Sequence, residues 1–306
     1  MAVRRAIFRW RAAGAGAAVV SGRSKVLCAA LTFAVEQGLL RWHPLAGMRR
    51  PPQPLPRLPL PLDDVQMLLR TAAKLVADAE AAADTAGGRQ RLFEAEQTQL
   101  LAHLAADSAA RRGELAAFLA GDLAGRVLSI HQAISGLDTV TCPKTHQYRS
   151  MTLGSTTANR WHRHLQHFPV LERGQDWLFA PDPDRATFIH PRGLAARFER
   201  LRAVASVPHA TLHRLRHTVA VILVAAGHLL AAQHRLGHRD ASTTLRHYGW
   251  VLPPDDTAIA DQLEVILTHG PGAATSLPAR PAKRMPDISG SFDELCVEQA
   301  PDLVAG

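Results

Sequence analysis

The run from Thr211 to Trp250, TLHRLRHTVAVILVAAGHLLAAQHRLGHRDASTTLRHYGW, constrains the chain more than any other stretch. It opens on His213, Arg216 and His217 and continues through Val219, Val221, Ile222 and Val224. That pattern predicts a helix, and Gly227 is the residue type that ends one with a left-handed cap. A second short helix is expected over Leu229–Leu236, closed by Gly237, with His238 directly after it. A third follows Ala241-Ser242-Thr243-Thr244, where a hydroxyl is expected to cap a helix that carries Tyr248. Three short helices in succession are thus expected to bring His213, Arg216, His238 and Tyr248 within reach of one another.

These residue types share one chemistry. A guanidinium offers a planar fork of donors that fits two oxygens of a phosphate. Imidazoles donate or accept a proton near neutral pH. A tyrosine hydroxyl becomes a useful nucleophile only when a base and nearby cations help it ionise. Together they suit in-line attack by Tyr248 on a phosphodiester. His213 and His217 stand four apart, which is also metal-ligand spacing on a helix. A zinc-protease pair carries a glutamate after its first histidine, however, whereas Arg214 and Arg216 lie between these two and would repel a divalent ion. No metal and no other cofactor is expected. An isolated Tyr248 reads as a half-buried aromatic and an isolated Arg216 as a surface charge, so it is the combination that carries the argument.

The pattern H-x-x-R-H, then L-G-H, then S-T-T-x-x-x-Y resembles the C-terminal signature of the tyrosine recombinases, the phage integrase family. His238 follows His213 by 25 residues and Tyr248 follows His238 by ten, spacings similar to that family's. The resemblance implies a further arginine upstream, in R-x-G-E at a helix start. Arg111-Arg112-Gly113-Glu114 supplies it, with Glu114 supporting the helix start or pairing a base. It also implies a lysine in a β-hairpin. Thr139 to Leu153, TVTCPKTHQYRSMTL, reads as two strands around a polar turn with Lys144 on its near side. Tyr148, the other tyrosine, lies in that hairpin without an arginine–histidine cradle nearby in sequence.

By the same resemblance the fold is mainly α-helical with a small antiparallel sheet, and the protein cleaves and rejoins DNA at specific sites through a 3′-phosphotyrosine. Tyr248 would attack, Arg111 and Arg216 would neutralise the phosphate oxygens, and His213 would take the tyrosine proton. Lys144 would protonate the departing 5′ oxygen and His238 would bond a phosphate oxygen. The implied partners are double-stranded DNA, three further copies in a homotetramer on paired sites, and accessory DNA-bending proteins, in the cytoplasm on the nucleoid. Two other functions use overlapping residues: type IB topoisomerase-like relaxation, and a truncated chain that occupies DNA without cutting.

Charge agrees with a polyanionic partner. The formal net charge is +8 at pH 7, with a pI of about 10.2. Cys28, Cys142 and Cys296 are scattered and odd in number, which suggests neither a disulfide framework nor a metal knuckle. No uninterrupted apolar run looks long enough to span a membrane, and no membrane partner is expected.

Four segments are expected, and it is the resemblance that implies a core-binding region for the first and a catalytic domain for the third. Residues 1–48 read as a partial N-terminal core-binding region: Met1–Val20 as a poorly structured basic start, then an amphipathic helix over Ser24–Gln37 stopped by Gly38. Residues 49–62, rich in proline, read as a semi-rigid linker rather than an SH3-type ligand. Residues 63–268 read as the recombinase catalytic domain. Its first helix is capped by Asp63 or Asp64, with Val65, Leu68, Leu69, Ala72 and Leu75/Val76 on one face. A surface excursion over Asp78–Glu96 and a short helix over Gln99–Ala106 follow. Gly125–Ile130 reads as a strand, Ser155–His167 as a helix, and Trp177–Phe179 as a short buried strand or turn. Arg192, Arg197, Arg200 and Arg202 stud a helix that either runs along DNA phosphates or presents an ordinary solvated basic face, and Asp256–Thr268 reads as a last amphipathic helix. Residues 269–306 read as a mobile tail.

Overall fold

The computed structural model describes residues 2–46, 58–136, 138–143, 148–170 and 176–251. The chain divides into two compact units, one ending at Leu58 and the other beginning at Pro59. The last expected helix and the tail beyond it lie outside the described residues.

In the first unit the basic start is helical rather than unstructured. It forms α1 (Ala2–Ala12), and α2 (Ala17–Glu36) begins well before Ser24. Alanine-rich sequence favours helix, and pairing supports it: the Arg23 guanidinium lies over the Trp10 ring, 5.7 Å from its centroid. Gly38 ends α2 as expected, at φ +71°. By length and composition alone α2 could cross a membrane, which the sequence reading did not anticipate. Arg23 and Lys25 fall in its middle, however, where each costs about 2.5–3.5 kcal/mol on insertion scales.

The second unit is built around one buried helix. α3 (Leu62–Ala81) packs on α4 (Gly88–Asp107), and Leu100, Leu101, Leu104 and Ala105 of α4 are fully buried. The expected surface excursion over Asp78–Glu96 is thus mostly helix, with only the turn around Gly87 between α3 and α4. α4 is buried on nearly every face, so it lacks the single apolar stripe that marks a surface helix in sequence. The N-cap of α3 is Pro61 rather than Asp63 or Asp64, which occupy the first turn and favour the positive end of the helix dipole. The described end of the proline-rich segment is tied to the second unit. Leu60 is buried, and its N–H donates to Thr218 Oγ1 at 2.8 Å.

After α4 the chain forms the short helix α5 (Arg112–Ala116) and a 3-10 turn at Ala120–Asp122. The strands follow: β1 (Leu123–Ala124), β2 (Val127–Ile130), β3 (Ala133–Ile134), β4 (Val140–Thr141) and β5 (Arg149–Thr152). They make two small antiparallel sheets, β1-β2-β5 and β3-β4. The expected hairpin over Thr139–Leu153 is therefore corrected. Its two strands pair elsewhere, Val140 with Ile134 and Met151 with Leu128. Pairing with β2 buries Arg149 and Met151 at alternate positions of β5, a gain that a free-standing hairpin would lack.

α6 (Ser155–His167) has the expected bounds, and Trp177, Leu178 and Phe179 are buried, with Trp177 bridged to Leu119. α7 (Pro191–Val204) carries the four arginines, but not along one solvent face. Arg197 is buried on Gln97 and Arg202 donates to Ala210 O at 2.9 Å, leaving Arg192 and Arg200 exposed. The expected line of phosphate contacts cannot include Arg197.

Candidate active site

Three helices in succession build the site. α8 (Leu212–Ala225) is capped by Thr211, whose Oγ1 accepts from Arg214 N at 3.0 Å. α9 (Leu229–Leu236) ends at Gly237, in the left-handed conformation at φ +58°. α10 (Ala241–Tyr248) is capped by the Asp240 side chain, which accepts from Ser242 N at 2.8 Å. The cap is therefore a carboxylate two residues upstream of the first expected hydroxyl, that of Ser242. That frees Thr244, fully buried, to meet His238: Thr244 Oγ1 lies 2.9 Å from His238 Nδ1.

Arg111 sits at the N-cap of α5. Glu114 Oε2 accepts its backbone N–H at 2.7 Å and Glu114 Oε1 accepts Nη1 at 3.0 Å, so Glu114 supports the helix start as expected. Gly113 is required by close approach, since a Cβ there would lie 2.6 Å from Ile134 O. Burial alone would raise the Glu114 carboxyl. The Arg149 and Arg111 guanidinium groups override that effect and hold it at about 2.

Arg111, His213, Arg216, His238 and Tyr248 line one open cleft of ≈ 720 Å³, together with Arg112, Arg202 and His247. The sixth expected residue, Lys144, lies outside the described residues. The other tyrosine, Tyr148, is half exposed, and its hydroxyl lies 3.4 Å from Cys142 Sγ.

The C-terminal end of α9 organises the cations. Its last carbonyls have no partner within the helix and carry the negative end of the dipole. Three arginines answer them in order: Arg149 Nε donates to Arg235 O at 3.1 Å, Arg216 Nη2 to Leu236 O at 2.6 Å, and Arg111 Nη2 to Gly237 O at 3.4 Å. Arg216 Nη1 also donates to Ala109 O. Burial, then Arg111, lowers Arg216 to about 9, which leaves it charged at neutral pH.

The same cations act on two titratable groups of the cleft, His238 and Tyr248. His238 is pushed down to about 4 by burial and then by Arg216 and Arg111, so its ring is neutral near pH 7. Tyr248 is raised by burial, with Arg216 opposing. Its ring packs in a small apolar cluster with Ala109, Val221, Val224 and Leu236, and lies 5.2 Å from the His217 ring between centroids. Among the described residues no group of three or more His, Cys, Asp or Glu side chains is placed to hold a metal ion.

Sequence reasoning missed Arg149 and Thr244. Arg149 shares strand parity with Met151, the one signal that could have marked it as inward-facing. Thr244 was read as a capping residue, and no sequence signal separates the two uses of its hydroxyl.

Residues 76–252, more than half of the chain, match the family model described as "Phage integrase family". No curated protein matches the chain at the sequence level. Solved structures share its fold. The Tn1549 transposon integrase in complex with transposon right end DNA matches with a TM-score of 0.60 and 18% identity, over 85% of this chain and 83% of that one. A lambda integrase dimer bound to a COC′ core site matches with 0.55 and 17%, over 80% and 78%. XerH site-specific recombinase bound to difH substrate matches with 0.51 and 16%, over 82% and 66%. With more than half its length matched by the family model and its signature side chains gathered on one cleft, the chain belongs to the phage integrase family, a family of site-specific DNA recombinases.

Proposed function

We propose that this recombinase breaks and rejoins double-stranded DNA at the cleft, with Tyr248 as nucleophile. The observation that carries the reading is the arrival of Arg111, His213, Arg216, His238 and Tyr248, from separate segments, on one basic cleft. Tyr248 Oη forms a bond to the scissile phosphorus while the bond to the 5′ oxygen breaks, leaving a 3′-phosphotyrosine. The reverse step rejoins a strand without external energy, because the ester bond is conserved.

Burial keeps the Tyr248 hydroxyl protonated at neutral pH, so attack needs a base, and His213 on the cleft wall fills that role. Arg111 and Arg216 bond the non-bridging oxygens. Arg216 has five N–H donors. Its contacts to Ala109 O and Leu236 O are each made by one N–H, which leaves three to turn to a phosphate. His238, neutral and held through Nδ1 by Thr244, donates from its other ring nitrogen. Lys144 protonates the departing 5′ oxygen. Preorganised cations at developing charge are often the largest single catalytic contribution. The three solved relatives named above are DNA complexes, and by the family resemblance four copies assemble on two paired sites in the cytoplasm, with DNA-bending proteins assisting.

The test is to incubate the full chain with fragmented genomic DNA of its source, denature, and sequence the ends covalently attached to protein. Ends linked through a 3′ phosphate at one shared short sequence support recombination. Ends at unrelated sequences with relaxation of supercoiled plasmid indicate a topoisomerase, and DNA binding without any covalent adduct indicates a non-cleaving binder.

A further inference from the structure

Arg149 opens β5 and is 5% exposed. Its guanidinium grips Glu114 with both arms, Nη1 to Oε1 at 3.2 Å and Nη2 to Oε2 at 2.6 Å, while Nε holds Arg235 O. Three of its five N–H donors are thus engaged inside the protein, and the side chain is buried. The carboxylate it holds is the one that fixes Arg111 through both backbone and side chain. Arg111 in turn reaches Gly237 O, and Gly237 lies against the Arg149 guanidinium so closely that a Cβ there would come 2.9 Å from Nη1. The contacts close a ring: Arg149, Glu114, Arg111, Gly237 and back to Arg149. His238 follows Gly237 directly.

Buried ion pairs of this kind add little net stability compared with an apolar replacement, whereas bidentate pairing fixes direction. The ring ties two elements that are distant in sequence, the start of α5 and the end of α9, and each carries one of the cleft's polar groups. We infer that Arg149 is a positioning residue for strand cleavage, holding Arg111 and the Gly237–His238 turn in register through Glu114. The inference rests on the reading of the cleft as the cleavage site.

The test uses the full chain on a nicked duplex carrying a recovered cleavage sequence. It measures single-turnover cleavage at saturating DNA, affinity in a Tyr248→Phe background, and thermal unfolding. Arg149→Lys keeps the charge and loses the two-armed grip. It is expected to slow cleavage by about 10²-fold, the scale of a small misplacement of a reacting group, with affinity unchanged. Arg111→Lys combined with Arg149→Lys should cleave little more slowly than Arg111→Lys alone, because Arg149 acts through Arg111. A merely structural role would not produce that non-additivity. Where Arg149→Lys does not fold, Glu114→Gln, which keeps the carboxylate's shape, carries the same cycle. Multiplicative rate losses, wild-type cleavage by Arg149→Lys, or loss of folding in both variants overturns the inference. Absence of a covalent complex with the unmodified chain on the same DNA instead overturns the reading of the site.

Discussion

Arg216 donates to the carbonyl of Ala109, and Ala109 is held in the left-handed region at φ +53°. That conformation costs an alanine about 1–2 kcal/mol. It turns the chain sharply at the end of α4, so that Arg111, two residues on, starts α5 at the cleft rather than continuing the core helix. The arginine proposed to bond the phosphate therefore also secures the turn that delivers its partner arginine. Scaffold and site share one side chain.

This double duty separates two otherwise similar substitutions. Arg111→Lys and Arg216→Lys should each slow cleavage by roughly 10²–10³, since lysine keeps the charge but not the planar fork. Arg216→Lys should also destabilise the fold by about 1–3 kcal/mol, because one ammonium replaces donors to two buried carbonyls. Urea unfolding beside single-turnover rates checks both effects. Near wild-type cleavage by both variants would remove these side chains from the phosphate site.

Tyr248→Phe is expected to fold normally and bind DNA with unchanged affinity while forming no covalent adduct. Phenylalanine retains the packing on Val221, Val224 and Leu236 and removes only the hydroxyl. A denaturing gel of the variant with trapped DNA gives the answer. A surviving shifted band would move suspicion to Tyr148.

The site was legible in the sequence because it rests on local rules. Gly227, Gly237, and the apolar run between His213 and Val224 dictate helix lengths that leave few arrangements, and α8 and α9 end where those rules place them. What the sequence hid is non-local. α4 looked like a short helix behind a surface excursion because a helix buried all round has no stripe to read. β4 and β5 looked like one hairpin because adjacency in sequence favours pairing, while burial of Arg149 and Met151 against β2 decided otherwise. Arg149 was read only as part of the second strand of that hairpin, since nothing in RSMT announces the carboxylate it meets 35 residues upstream.

Asp122 gives a pH prediction. Burial pushes its carboxyl up to about 7, only partly opposed by the Leu119 N–H it accepts. His131 lies 3.5 Å away, but burial lowers its imidazole, so the contact is not an ion pair near neutral pH. A carboxyl that holds its proton more tightly when folded favours the folded state below the unfolded value of 3.8 and loses that advantage as pH rises through about 7. Asp122→Asn keeps the acceptor and carries no charge. It should be more stable than wild type at pH 8 by on the order of 1–3 kcal/mol, with the difference shrinking toward pH 4. Denaturant unfolding at both pH values decides it, and a difference that stayed constant with pH would show that Asp122 is not the titrating group. Glu114 works in the opposite direction. Held at about 2, it stabilises the fold above 4.5 and loses that contribution as pH falls toward 2.

Gly237 and Gly227 offer a controlled comparison. Both hold positive φ, +58° and +77°, so Ala at either position should cost about 1–2 kcal/mol in backbone strain. Their surroundings differ. A Cβ at Gly227 meets nothing within 4 Å, while at Gly237 it would lie 2.9 Å from Arg149 Nη1 and 3.1 Å from its Cζ. Gly227→Ala should thus lose stability and keep its cleavage rate per folded molecule. Gly237→Ala should lose stability and cleave about 10²-fold more slowly, because the added methyl displaces the guanidinium that holds Glu114 and Arg111. Single-turnover cleavage at a temperature where both variants are fully folded isolates that difference. Equal rates for the two would mean that the contact between Gly237 and Arg149 does not position the cleft.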